Sequence, residues 1–393
     1  MILLLSIVLT IQTVGTPAAQ LPAITMNPPN TAAFQYVVMI LMENTGIGSV
    51  LGNPSAPYLN SLANNYALAT NYTAVAHPSL PNYLDLTSAT NSEITSDCDP
   101  TTCPVSAPNI IDKIESAGLT WKAWAEDYPV SQGCSLSTGN GAYAPRHFPF
   151  VYYTDIVNNP ARCNNLYSAN TIVSSSPETD DALLNALGST STAANYMWLT
   201  PNLCDDIHDC SISTGDAYLS QLVPSILGSK IFTTQNAALF VTFDEGSSNY
   251  PSDYVYSIWA GPAAKSHYRS SNQYSHFSLL KTIETAWALQ PLTTNDSSAS
   301  DMSQFLTGNS GSQLVNNGSC DFCLSTASIL AAVGAGVAAV ALVTIGMSRA
   351  RNKVDSNRAP FLEQLLERDR NFGESKQSNR SGISISKGAL DSR

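Results

Sequence analysis

Apolar and polar positions alternate in blocks along the chain. Five short apolar runs rich in β-branched and aromatic residues read as strands: Tyr36–Met42, Thr120–Ala125, Tyr196–Thr200, Ala238–Phe243 and Val255–Gly261. Between them, apolar residues recur at helical spacing over Tyr58–Tyr66, Asn109–Ala117, Thr179–Gly188, Asp216–Leu227 and His276–Leu289. Continuous apolar strands have both faces covered, and their interleaving with helices predicts an α/β fold. The expected architecture is a mostly parallel central sheet with helices on both faces.

The two ends of the chain carry different signals. Met1–Val14 is almost wholly apolar and is followed by Gly15, Pro17, Ala18 and Ala19, the layout of a signal peptide over residues 1–19. No basic residue precedes that run, so an uncleaved N-terminal anchor stays open as the alternative. Residues 324–347 contain no charge and are long enough to cross a bilayer, and Arg349, Arg351, Lys353 and Arg358 follow at once. This predicts one C-terminal transmembrane helix, with the tail at 348–393 cytoplasmic and the rest of the chain extracellular. The charged, Ser/Asn-rich tail is expected to be disordered. The expected domain lies at 34–306, with a stalk at 307–321. Small residues along the span could face a second helix or lipid, and oligomeric state stays open.

Charge narrows the partners. The chain has 18 Lys+Arg against 30 Asp+Glu, a net −12, and ten of the cations lie in the last 45 residues. The preceding 348 residues are therefore strongly acidic and should repel polyanions, which argues against nucleic acid as a partner. A phosphate can still be handled if a bound metal reverses the sign of the field locally. Of the eight cysteines, Cys98 and Cys103, Cys204 and Cys210, and Cys320 and Cys323 form close pairs, leaving Cys134 and Cys163. In an exported chain this reads as local disulfides. Cys320-x-x-Cys323 also has zinc-ligand spacing, but no second such pair lies near it. Three N-glycosylation sequons, at Asn71, Asn295 and Asn317, agree with export.

In such a sheet, ligands bind beyond the carboxyl ends of the strands. Glu43 and Asn44 follow the first run, and Asp244 and Glu245 the fourth. Asn202, Asp205, Asp206, His208 and Asp209 follow the third. Carboxylates crowded at one edge raise one another's pKa and need a partner, and a divalent cation is the simplest, its identity and number left open. Helix capping by Asn44, Asp206 or Asp244 is the rival account of each residue taken singly. Ser79, in His77-Pro78-Ser79-Leu80-Pro81-Asn82-Tyr83, is held between two prolines at a predicted helix start, where free amides favour an anion. It reads as a nucleophile, with Asn82 and those amides on the phosphoryl oxygens; the plainer account makes Ser79 an N-cap.

The ordered blocks Met42-Glu43-Asn44, His77 to Tyr83, Thr200-Pro201-Asn202 with Asp206-x-His208-Asp209, Val241 to Glu245, and Tyr274-Ser275-His276-Phe277-Ser278 resemble the phosphoesterase family. That family holds acid phosphatases and bacterial-type phospholipases C within the alkaline phosphatase superfamily. The resemblance covers about Tyr36 to Leu306. It implies a metal held by Glu43, Asn44, Ser79, Asp244 and Glu245, with Ser79 the nucleophile. It implies a site lined by Asp206 and His208, and His208 and His276 as catalytic contacts to phosphate or leaving group. His77, Asn82, Asn202 and Asp206 are then expected on the substrate side. Many relatives continue the first block with Ser-Phe, whereas Thr45 and Gly46 stand here.

The expected activity is that of a membrane-anchored, metal-dependent phosphomonoesterase acting on a phosphate ester through a phosphoserine. Phospholipase C or phosphodiesterase activity at the same site, and a non-catalytic surface scaffold, are the alternatives. His147 is left between a substrate wall and a surface loop, Arg146 and Lys122 are possible phosphate partners, and His267 reads as a loop residue.

Overall fold

A computed structural model describes residues 28, 32–139, 141–170, 180–246 and 253–308, all within the unit Met1–Gln313. Ten strands are formed: β1 Tyr36–Met42, β2 Ala67–Ala69, β3 Tyr72–Thr73, β4 Trp121–Ala125, β5 Leu166–Ser168, β6 Tyr196–Thr200, β7 Ala237–Phe243, β8 Ser257–Ala260, β9 Tyr268–Ser270 and β10 Tyr274–Ser275. Eight of them make one sheet in the order β5-β4-β6-β1-β7-β8-β2-β9, and β10 pairs with β3. From β5 to β7 every neighbour is parallel. β8, formed within the Val255–Gly261 run, is antiparallel to both β7 and β2, and β2 and β9 are parallel. The fold is thus α/β with a mostly parallel central sheet.

Every residue of β1, β6 and β7 is buried, so both faces of the central strands are covered. That explains why these strands read as unbroken apolar runs, and why their placement was legible. Large rings fill the layer. Phe240 lies 4.6 Å from Trp259, Phe34 meets Trp287 edge-on at 5.5 Å, and the Trp287 indole donates to the Phe34 carbonyl. The last of these fastens the helix His276–Trp287 to the start of β1.

Register decides where chemistry can occur. Ile40 stands opposite Leu199, and Met42 opposite Phe243. The carboxyl ends of β6, β1 and β7 therefore lie side by side, and the residues that follow them emerge at one edge. Disulfides Cys98–Cys103, Cys134–Cys163 and Cys204–Cys210 close loops. Cys320 and Cys323, the predicted signal peptide, stalk, transmembrane span and tail lie outside the described residues. Among the described residues no helix is long and apolar enough to cross a membrane.

Away from that edge, Glu284 of the helix His276–Trp287 is buried against Asp296 of the helix Thr294–Ser298. Burial, with the Asp296 carboxylate beside it, pushes Glu284 up to about 8. Asp296, although buried, is held below its ordinary value by hydrogen bonds from Glu284 and from the amides of Leu292 and Thr293. A raised carboxyl stabilises the fold fully below its unfolded value and loses that contribution as pH rises through the folded one. Chemical denaturation across pH should therefore show stability falling between about pH 5 and 8, with Glu284→Gln flattening that slope.

Candidate active site

Glu43 leaves β1 directly into the interior and is fully buried; its amide donates to the Asp206 carbonyl, tying the ends of β1 and β6 together. Asn44 follows with φ of 50°, a left-handed turn that asparagine tolerates, and this turns the chain away from the sheet. Beside it the Asp244 amide donates to the Met42 carbonyl, while Asp244 Oδ1 accepts from the amides of Asn44 at 3.2 Å and Glu245 at 2.6 Å. Asp244 Oδ2 is buried with no hydrogen-bond partner.

The helix Ser79–Ser88 delivers the hydroxyl. Ser79 is its first residue and is buried, and its Oγ donates to Glu43 Oε2 at 3.1 Å, close enough to Asp244 to ease that carboxylate's charge. Asn44 Nδ2 reaches the same Glu43 oxygen at 3.3 Å. The other oxygen, Oε1, accepts from the buried Tyr83 hydroxyl at 2.7 Å. Glu43, Asn44, Ser79 and Asp244 are thus brought to one point. Glu245 stands beside them but faces the loop before the helix, its Oε2 accepting from Asn82 Nδ2 at 3.1 Å and lying 3.1 Å from His77 Nδ1.

The third strand end contributes through a strained turn. Ile207 sits at φ 83°, costly for a β-branched side chain, between Asp206 and His208. Gly215 makes room for it, since a Cβ there would lie 2.3 Å from Ile207 Cγ1, and Cys204–Cys210 closes the loop. Asp206 is buried, with Oδ1 accepting from the His208 amide at 2.7 Å and Oδ2 3.3 Å from His147 Nδ1. His208 Nδ1 lies 2.7 Å from Asp209 Oδ1 and Nε2 accepts from Arg146 Nη2 at 3.1 Å, which fixes the orientation of the ring.

Electrostatics agree with the crowding. Burial first, then the charges of Asp244 and Asp206, holds Glu43 well above the carboxylate range. Burial raises Asp206 strongly and pushes Asp244 up to about 6; Glu245 goes to about 9 through burial and then the Asp244 charge. Buried carboxylates of this kind take protons unless a cation replaces them. Among the described residues, Glu43, His147 and His208 bring one ligand-type atom each within 4.8 Å of one another.

Several expected substrate contacts are engaged elsewhere. Asn82 donates to the Ala76 carbonyl and to Glu245 and accepts from the amides of Val75 and Ala76, so its amide organises the loop before the helix Ser79–Ser88. Asn202 donates to Asp127 and accepts from the Cys204 and Asp205 amides, bracing the turn after β6. His276 is fully buried; its Nε2–H donates to the Asp244 carbonyl and its Nδ1 accepts from Tyr72, and burial lowers it to about 4. It holds the Asp244 backbone instead of facing substrate. His77 lies at the rim between Glu245 and Asp253. Lys122 donates to the Thr192 carbonyl near the start of β4, away from the carboxyl edge, and His267 bonds the Asn64 carbonyl in a loop. Thr45 donates to the Glu43 carbonyl.

Of the two residues next to Glu43 that sequence alone left without a role in cation binding, Tyr83 lay inside the Ser79 block and His147 stood between a substrate wall and a surface loop. His147 is buried, stacks on Tyr83 at 5.4 Å and lies 3.3 Å from Glu43 Oε1. Burial, then the neighbouring Arg146 and His208, lowers it well below the usual imidazole value. Its flanking prolines in Pro145-Arg146-His147-Phe148-Pro149 repeat the signal that singled out Ser79.

The Phosphoesterase family model matches residues 49–290, which takes in Ser79, Asp206, His208 and Asp244 but begins just after Glu43 and Asn44. The chain is 30% identical over 290 residues to a phosphatidylinositol-3-phosphatase of Mycobacterium tuberculosis, covering 73% of this chain and 85% of that protein. It is 27% identical to a phosphate-repressible acid phosphatase of Penicillium chrysogenum, covering 70% of this chain but only 65% of that protein. Among solved structures, the lipoteichoic acid synthase LtaP of Listeria monocytogenes superposes with a TM-score of 0.48 at 8% identity, over 69% of this chain and 77% of that one, too loosely to bear on activity. The chain belongs to the Phosphoesterase family and is a hydrolase acting on phosphate esters.

Proposed function

We propose that the chain is an extracellular, membrane-anchored phosphomonoesterase that needs a divalent cation and works through a phosphorylated Ser79. The observation that carries this reading is the Ser79 hydroxyl 3.1 Å from Glu43 Oε2, beside the unpartnered and buried Asp244 Oδ2. Carboxylates, an amide and a hydroxyl, with imidazoles alongside, form a donor set that suits a hard or borderline divalent ion. Glu43, Asn44, Asp244 and Ser79 would hold it, with Glu245 in support. When bound, the ion neutralises the buried carboxylates, favours the serine alkoxide and polarises a phosphoryl oxygen.

The remaining steps belong to the chain. Ser79 attacks phosphorus with inversion, water then attacks the phosphoserine from the other side, and configuration is retained over the whole reaction. His147 and His276 are kept neutral by burial, whereas His208 stands part-exposed at the mouth of the site, where a substrate displacing Arg146 from its Nε2 would bring that nitrogen to the leaving oxygen. Asp209 orients its ring. The predicted leader and C-terminal span support the extracellular, anchored placement.

Ser79→Ala should lower kcat on p-nitrophenyl phosphate by about 10³-fold or more, and chelation should bring the wild-type protein to a similar floor that added divalent ion reverses. Retained turnover in Ser79→Ala would remove the proposed nucleophile. Tyr83→Phe deletes the hydrogen bond that orients Glu43 and should weaken cation binding about 10-fold in calorimetry. Because Asp244 and Glu245 are raised, cation-free protein should lose thermal stability as pH climbs from about 4 to 9, and saturating cation should flatten that profile.

A further inference from the structure

Asp97 belongs to none of the groups assigned a role above, yet it meets two of them. Its Oδ1 accepts from the Leu80 amide at 2.9 Å, and its Oδ2 lies 3.7 Å from Arg146 Nε. The Leu80 amide is an N-terminal donor of the helix Ser79–Ser88, one residue past the hydroxyl, and it has no partner within the helix. Arg146 in turn donates to His208. One carboxylate therefore engages the amide next to Ser79 and the guanidinium that reaches His208, two donors of the kind that bind a phosphoryl oxygen. Two further described cations are engaged elsewhere in the fold: Arg162 by Asp112, Glu115 and Asp155, and Lys122 by the Thr192 carbonyl.

This placement is built, not incidental. The next residue, Cys98, is bonded to Cys103, and the Cys98 carbonyl accepts from the buried Tyr152 hydroxyl at 2.7 Å. The Asp97 side chain is about one-third exposed, at the rim, and its charge also reaches Glu245. A fixed negative charge here opposes a second negative charge on the substrate far more than a first, because a singly charged phosphoryl group can turn an esterified or protonated oxygen towards it.

We infer that Asp97 is a specificity-determining residue that selects phosphoryl groups by charge, disfavouring the doubly charged phosphate in favour of singly charged forms. The inference rests on the proposed phosphoesterase site and names the ionic state that this site accepts. For a monoester, whose second ionisation falls near pH 6, the accepted form is the monoanion, most abundant in acid.

The test measures binding, so that it stands apart from turnover. Full-length protein in detergent, supplemented in parallel with Mg²⁺ or Mn²⁺, is titrated calorimetrically at pH 8 with orthophosphate, mainly the dianion, and with dimethyl phosphate, a monoanion. Asp97→Asn keeps an oxygen to accept from Leu80 while removing the charge. It should tighten orthophosphate about tenfold and change dimethyl phosphate by less than about threefold. Equal tightening of both ligands, or unchanged or weaker orthophosphate binding, overturns the inference. Circular dichroism and the melting temperature of Asp97→Asn confirm that the comparison is between folded proteins, and Asp97→Ser supplies a second neutral acceptor if the first variant misfolds. Wild-type protein that binds orthophosphate but turns over no ester would sink the proposed function while leaving the charge effect of Asp97 measurable.

Discussion

The constraint on which the site depends is negative charge buried at adjacent strand ends. Glu43, Asp206 and Asp244 follow three neighbouring parallel strands whose register brings them to one edge, and all three are fully buried. Desolvation and mutual repulsion make such an arrangement unfavourable unless protons or a cation accompany it. A sheet with both faces covered supplies the rigid frame that keeps them together despite that repulsion.

Much of the surrounding structure serves to hold these groups in position. Tyr83 fixes one oxygen of Glu43 and leaves the other towards Ser79. His276 holds the Asp244 carbonyl, and Asn82 ties Glu245 to the loop that presents the helix Ser79–Ser88. Ile207, in a left-handed conformation beside a tight glycine, lets Asp206 and His208 act from one short turn closed by a disulfide. Preorganisation of this sort reduces the rearrangement needed when charge moves during phosphoryl transfer.

The rim has a different balance from the floor. Arg146 links His208 to Asp97, while His77 bridges Glu245 and Asp253, so each positive or protonatable group at the mouth is met by a carboxylate. With a cation held at its floor, the site would carry a field that changes sign with depth beneath an acidic entrance. That suits a small, weakly charged phosphate ester better than a polyanion.

The central strands β1, β4, β6, β7 and β8 and the strand-end carboxylates could be read from the chain, because buried strands are written as continuous apolar runs; the two- and three-residue strands β2, β3, β5, β9 and β10 are too short to leave such a pattern. Ser79 was legible for a similar local reason, its flanking prolines. What the side chains do once there was not legible. Asn82 and Glu245 are 163 residues apart, His276 meets a carbonyl 32 residues away, and His147 approaches a glutamate from another part of the chain. Whether an amide or imidazole is saturated or free depends on such distant partners, and those are set by how the sheet orders its strands and the loops pack, which neighbouring sequence does not encode.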